Sequence, residues 1–264
     1  MKKIMLLVSL FCLAVPAAQA AVQGKEVSYQ ANGTTLKGYL AYDATVKGRH
    51  PAVLVVHEWW GHNSYARKRA DMLAGLGYTA LAVDMYGDGK QASHPDEAGK
   101  FAAEVSKNMP LAKARFEASM QLLRKQKTVD ARRMAAIGYC FGGGVVLNMA
   151  RIGADLKGVA SFHGSLGTDN PAQPGKVKAR IISFTGEDDP MISADTVAAF
   201  KKEMESAGVD FKVVTYPGVK HSFTNPDADE LGRRFNLPLA YNAAADHDSW
   251  QQATVFLREI FATR

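Results

Sequence analysis

The sequence predicts an α/β fold, a mostly parallel central sheet with helices on both faces. Three observations carry that expectation. Short strand-like runs alternate with longer helical ones, which favours parallel strands joined by crossover helices. Residues 51–56 form a continuous apolar run, the pattern of a strand covered on both faces. Glu58, Cys140, Asp189 and His221 each follow a different strand-like run. Open α/β sheets keep their functional groups there, just past the carboxyl ends of the strands.

The elements follow in order. Met1-Lys2-Lys3, an apolar run over 4–15 and Ala18-Gln19-Ala20 read as a secretory signal peptide with cleavage after Ala20. Its apolar part is too short to span a bilayer. Residues 25–30 and 35–42 alternate around Asn32-Gly33 and predict an antiparallel hairpin at a sheet edge. Lys47-Gly48-Arg49 is a loop before the strand at 51–56, which ends in the cluster His57-Glu58-Trp59-Trp60-Gly61-His62-Asn63. Ser64 is placed to cap a helix through Leu76. A strand at 79–83 ends at Asp84-Met85-Tyr86-Gly87-Asp88-Gly89. Residues 95–127 are helical, with a break near Asn108-Met109-Pro110, where proline starts a new turn. Residues 130–133 lead into the strand before Cys140, and a helix follows to about Arg151. Strands are expected at 158–162, 179–185 and 211–216, and helices at 193–207 and 241–261.

The chain has 264 residues and no linker, repeat or low-complexity tract, so residues 21–264 are read as one domain. The net charge of +6 includes Lys2 and Lys3 of the leader and forms no dense basic block, which argues against a nucleic-acid partner. No later stretch suggests a membrane helix, so a soluble exported protein, periplasmic or secreted, is expected. Of the two cysteines, Cys12 lies in the leader and only Cys140 remains after cleavage, so no disulfide can form within the chain. A lone thiol sent to an oxidising compartment is unusual and points to a working cysteine. The competing reading is an inert cysteine buried as a small hydrophobe.

Gly138-Tyr139-Cys140-Phe141-Gly142-Gly143 joins an apolar strand to an apolar helix. Glycine two positions before and two after the central residue is what a sharp strand-to-helix turn requires, with the nucleophile at its apex. The order nucleophile, acid, histidine is that of α/β-hydrolases. Cys140 is then the nucleophile, His221 the base, and Asp189 the group that orients the imidazole. Asp188 is an adjacent alternative; Asp189 is preferred because it directly precedes Pro190. The helix N-terminus after Cys140 favours a thiolate. The backbone N–H groups of Phe141 and Trp59 are the expected oxyanion donors. Trp60, Tyr86 and Ser222 are expected in the substrate pocket, and His57, His62 and His163 are further residues that could line it. No carboxylate or thiol partners those histidines at metal-ligand spacing, so no metal is expected. The bland alternatives are that His221 caps a loop and that the tryptophans only pack.

Four segments carry a family resemblance: Gly138-Tyr139-Cys140-Phe141-Gly142-Gly143, Val56-His57-Glu58-Trp59-Trp60-Gly61, Gly186-Glu187-Asp188-Asp189-Pro190 and Tyr216-Pro217-Gly218-Val219-Lys220-His221-Ser222-Phe223. In this order they resemble the dienelactone hydrolase (carboxymethylenebutenolidase) family over nearly all of residues 21–264. The resemblance implies an α/β-hydrolase fold, no cofactor, a Cys140-Asp189-His221 triad and a small-molecule ester or lactone substrate. It also implies a role for Glu58: in the resting state the carboxylate engages the cysteine, and substrate displaces it so that the thiolate forms. Such a guard would limit oxidation of the thiol; the alternative is that Glu58 caps the next helix. The family's carboxylate-binding arginines correspond here to Asp88 and Asn225, neither of which pairs with a carboxylate as arginine does. The expected substrate therefore need not be anionic, and a monomer acting without membrane contact is expected. Two other functions share the same residues. One is a thioesterase; the other is a non-catalytic small-molecule-binding protein on a hydrolase scaffold. A thiol peroxidase ranks below both, because no second cysteine is present to resolve a sulfenic acid.

Overall fold

A computed structural model describes residues 21–262. The expected signal peptide, residues 1–20, lies outside the described residues. Eight strands form one sheet in the order β1-β2-β4-β3-β5-β6-β7-β8. The strands are β1 Val22–Ala31, β2 Thr34–Asp43, β3 His50–Val56, β4 Thr79–Val83, β5 Val129–Tyr139, β6 Gly158–Phe162, β7 Arg180–Gly186 and β8 Phe211–Tyr216. The β1–β2 hairpin is antiparallel and turns at Asn32 and Gly33, both at positive φ. β2 joins β4 antiparallel, and every pairing from β4 to β8 is parallel.

Helices cover both faces: α1 Ser64–Gly75, α2 Pro95–Ser106, α3 Met109–Arg124, α4 Phe141–Arg151, α5 Ala194–Ser206, α6 Ala228–Phe235 and α7 Ala243–Ala262. The two-residue strand period decides which face each side chain joins. Leu54 and Val56 of β3 pack in the core with Phe116 of α3, Val146 of α4 and Phe200 of α5. Val53 and Val55 pack in the opposite core with Leu73 of α1 and Leu257 of α7. Among the described residues no helix is long and apolar enough to cross a membrane.

Two expectations need correction. Asn63, not Ser64, caps α1: its Oδ1 accepts from the N–H groups of Tyr65 and Ala66, and Ser64 is the first helical residue. The last helix starts at Ala243 because Asn242 Oδ1 accepts from Ala245 N–H and ends the preceding loop there. Helix α6 was not expected: it is only eight residues long, although Ala228, Leu231, Gly232 and Phe235 lie on one face between charged residues.

Candidate active site

The turn between β5 and α4 sets the site. Cys140 has φ 51° and ψ −115°, outside the regions a side-chain-bearing residue prefers. Close backbone approach on either side explains the strain. A Cβ on Gly138 would come 2.1 Å from Gly142 O, and one on Gly142 would come 2.3 Å from Val56 O. Gly142 N–H donates to His57 O at 3.1 Å, which ties the start of α4 to the end of β3. Among the described residues, the backbone N–H groups of Phe141 and Trp59 have no acceptor within the protein. These are the two donors the sequence placed at an oxyanion site.

Cys140 N–H is held from behind. It lies 3.0 Å from Phe162 O and 3.1 Å from His163 Nδ1. Because His163 Nδ1 accepts, its proton sits on Nε2, which donates to Thr224 Oγ1 at 2.8 Å. Thr224 Oγ1 also meets Tyr65 OH at 2.6 Å, and its carbonyl accepts from Arg69 Nη2 at 2.8 Å. Arg69 in turn pairs with Asp246 of α7. Burial holds His163 neutral, far below its ordinary pKa, with the positive charges of His221 and Arg69 acting the same way. This polar layer beneath the cysteine was not read from the sequence beyond His163 itself. Its signal is there in retrospect: His221-Ser222-Phe223-Thr224-Asn225 is mostly polar yet wholly buried.

His221 follows β8 and Asp189 follows β7. His221 Nδ1 lies 2.7 Å from Asp189 Oδ2, and Asp189 Oδ1 accepts from Met191 N–H at 2.8 Å. Asp188 is exposed and takes no part. His221 Nε2 is buried without a hydrogen-bond partner. Burial opposes charging the ring, but its interactions with Cys140 and Asp189 outweigh it and push its pKa up to about 10. Cys140 and His221 both line a cavity of about 320 Å³. Trp59, Ala102, Phe141, Met191, Ile192 and Leu239 supply its apolar wall.

Glu58 also lines this cavity. Ser222 Oγ donates to its Oε1 and Asn225 Nδ2 to its Oε2, the latter at 2.6 Å. Burial raises its pKa, and the two hydrogen bonds only partly offset that. Glu58 and Cys140 share the cavity wall, and the hydrogen bonds of the two Glu58 oxygens go to Ser222 and Asn225. Asn225 is likewise spent on Glu58, and Asp88 stands exposed on the turn after β4 with its N–H bonded to Thr35 O, away from the cavity lining. Of the pocket residues expected, only Ser222 reaches the wall. Trp60 stacks between Trp59 and Phe235, and Tyr86 packs on His57 and Phe141 while its OH donates to Trp59 O at 3.0 Å. Both stand behind the wall and hold the Trp59 loop. His57 is also structural: Nε2 accepts from Met85 N–H, and Nδ1 lies 2.5 Å from Glu58 O. Among the described residues no three His, Cys, Asp or Glu side chains gather as a metal site would require.

The model of the dienelactone hydrolase family matches residues 36–261. A protein named usf from Aquifex pyrophilus is 30% identical over 240 residues, covering 89% of this chain and 98% of that protein. A probable 2-oxo-3-(5-oxofuran-2-ylidene)propanoate lactonase from Bradyrhizobium sp is 29% identical over 237 residues, covering 86% of this chain and 90% of that one. Among solved structures, a dienelactone hydrolase-like promiscuous phosphotriesterase from metagenomic libraries superposes with a TM-score of 0.83 at 31% identity. It covers 91% of this chain and 99% of its own.

Proposed function

The chain belongs to the dienelactone hydrolase family and is an ester or lactone hydrolase; from that premise we propose that it works through an acyl-cysteine on Cys140. The observation that carries the reading is His221 Nε2. It is a buried ring nitrogen that no group other than Cys140 engages, on an imidazole fixed at Nδ1 by Asp189, in the same cavity wall as that strained cysteine.

The chemistry follows from these positions. His221 Nε2 takes the thiol proton and Asp189 stabilises the imidazolium. The thiolate attacks the carbonyl carbon, and the oxygen that gains charge turns to the N–H groups of Trp59 and Phe141. The tetrahedral centre collapses by breaking the bond to the alcohol oxygen, which leaves with the proton from His221. A lactone keeps that alcohol tethered to the acyl group. Water, giving a proton to His221, then cleaves the thioester; the acid departs, and the imidazolium returns its proton to the sulfur. A thioester substrate would follow the same path, so the assay includes one.

Replacing Cys140 by alanine is expected to abolish turnover of acetyl and butyryl esters while circular dichroism stays that of the parent. Equal turnover by the variant would refute the triad; no turnover by the parent, with small molecules still binding, would favour a binding protein. We further propose that residues 1–20 direct export and are removed, leaving Cys140 as the sole thiol outside the cytoplasm. N-terminal sequencing of protein recovered from the periplasm or medium should begin at Ala21; an intact Met1 there would contradict it.

A further inference from the structure

Beside the cavity at Cys140 lies a second one of about 340 Å³. Ser106, Phe141 and Ser165 line both, so the two meet along a common wall. From there the second cavity follows the outer side of α4. One flank is apolar, with Val105 and Met109 near the α2–α3 junction and Val145 and Met149 on α4. The opposite rim is the polar loop after β6, with Thr168, Asp169 and Asn170. That rim is held in place: Thr168 Oγ1 donates to Asn148 Oδ1 at 3.0 Å and accepts from Asn170 N–H at 3.1 Å. No arginine or lysine lines either cavity, and Asp169 brings a carboxylate to the second.

An ester has two arms that diverge from the carbonyl carbon. That carbon must sit at Cys140; the first cavity receives one arm, and the shared wall at Ser106, Phe141 and Ser165 offers the other a way out. We propose that the second cavity is the subsite for this other arm. The preferred substrate is then an uncharged ester with one elongated, mainly apolar arm that ends in a neutral hydrogen-bonding group at the Thr168–Asn170 rim. The apolar flank gains from each methylene it takes out of water. An anionic end finds no cation there and meets Asp169 instead. This inference rests on the hydrolase reading of Cys140.

Gly167 offers a clean test. It lines the second cavity and not the first, and a Cβ built on it meets nothing within 4 Å. A Gly167→Phe side chain can therefore be placed at the rim of this cavity without a clash at its Cβ. The probes are p-nitrophenyl acetate, p-nitrophenyl octanoate, ethyl acetate, octyl acetate and an octanoate analogue ending in a carboxylate. In the parent, kcat/KM should rise by about tenfold or more either from p-nitrophenyl acetate to p-nitrophenyl octanoate or from ethyl acetate to octyl acetate, pairs with matched leaving groups, the discrimination typical of added methylenes in an apolar pocket. The carboxylate-ended ester should show no such advantage. In Gly167→Phe, checked for parental circular dichroism, the ratio of long to short should collapse toward one. A parent ratio near one, a ratio unchanged in the variant, or a preference for the carboxylate would overturn the subsite. Absence of acetate turnover in the parent, or its survival in Cys140→Ala, strikes instead at the hydrolase reading.

Discussion

At the residue scale the site consists of side chains whose environments set opposite charge states. His221 is favoured as a cation by its interactions with Cys140 and Asp189, while His163, one ring away at 5.2 Å, is held neutral by burial. The first can shuttle a proton; the second must keep Nδ1 free to accept from Cys140 N–H. Asp189→Asn should keep the geometry but unsettle the imidazole tautomer, and kcat should fall by about 10³–10⁴ with KM near the parent value. A steady-state measurement in which kcat hardly moves would remove Asp189 from the mechanism. Glu58 gives a second prediction. Its folded pKa is raised above the ordinary 4.5, so the folded state binds its proton more tightly than the unfolded chain. Stability from this group therefore declines as pH rises from about 4.5 through the raised value. Glu58→Gln should flatten that slope, which urea midpoints at pH 5 and 8 would reveal; an identical slope in both proteins would show that the carboxyl ionises freely. The three residues proposed as a triad stood out because each lies within three residues of a glycine or proline just past a strand. The partners of Glu58 were not, because Ser222 and Asn225 look like ordinary loop residues until the fold buries them.

At the element scale the sheet was legible almost strand by strand, since strands buried on both faces read as unbroken apolar runs. What the sequence hid were features set by a single polar atom or by tertiary packing. Asn63 displaced Ser64 as a cap through one carbonyl oxygen, and α6 escaped notice because its apolar face spans only two turns. The pocket residues were misjudged for a related reason. Trp60 and Tyr86 follow strands as functional residues do, but both are nearly fully buried, 5% and 2% exposed, and back the Trp59 loop instead of facing substrate. The junction of β3, β5 and α4 is the least tolerant element. Gly142→Ala would drive a Cβ into Val56 O, so it should lose about 1–3 kcal/mol by denaturant unfolding, the range for overpacking. Gly167→Ala meets nothing and should unfold with the parent. If the two behave alike, the close approach of α4 to β3 does not constrain the turn.

At the scale of the whole molecule, buried titrating groups shape stability on both sides of neutrality. His57, His62 and His163 are held below their ordinary pKa of 6.5 mainly by burial, His62 at about 3. Each therefore contributes stability that is present above about pH 6.5 and is lost as pH falls toward the lowered value, at no more than about 1.4 kcal/mol per pH unit apiece. His221, raised to about 10, acts in the opposite sense: its contribution is full below 6.5 and fades as pH climbs to 10. Calorimetry from pH 4 to 10 should give a melting temperature that is highest near neutrality, and a higher value at pH 5 than at 7 would contradict the buried-neutral assignment. The same enclosure that neutralises these histidines leaves one thiol facing one unpaired imidazole nitrogen at the end of the sheet. The direct test is intact-protein mass spectrometry after rapid mixing with an activated ester and acid quench. The account predicts a transient gain of one acyl mass, mapped to the peptide holding Cys140 and absent from Cys140→Ala. Turnover that proceeds with no adduct, or with the acyl group on another residue, would contradict it.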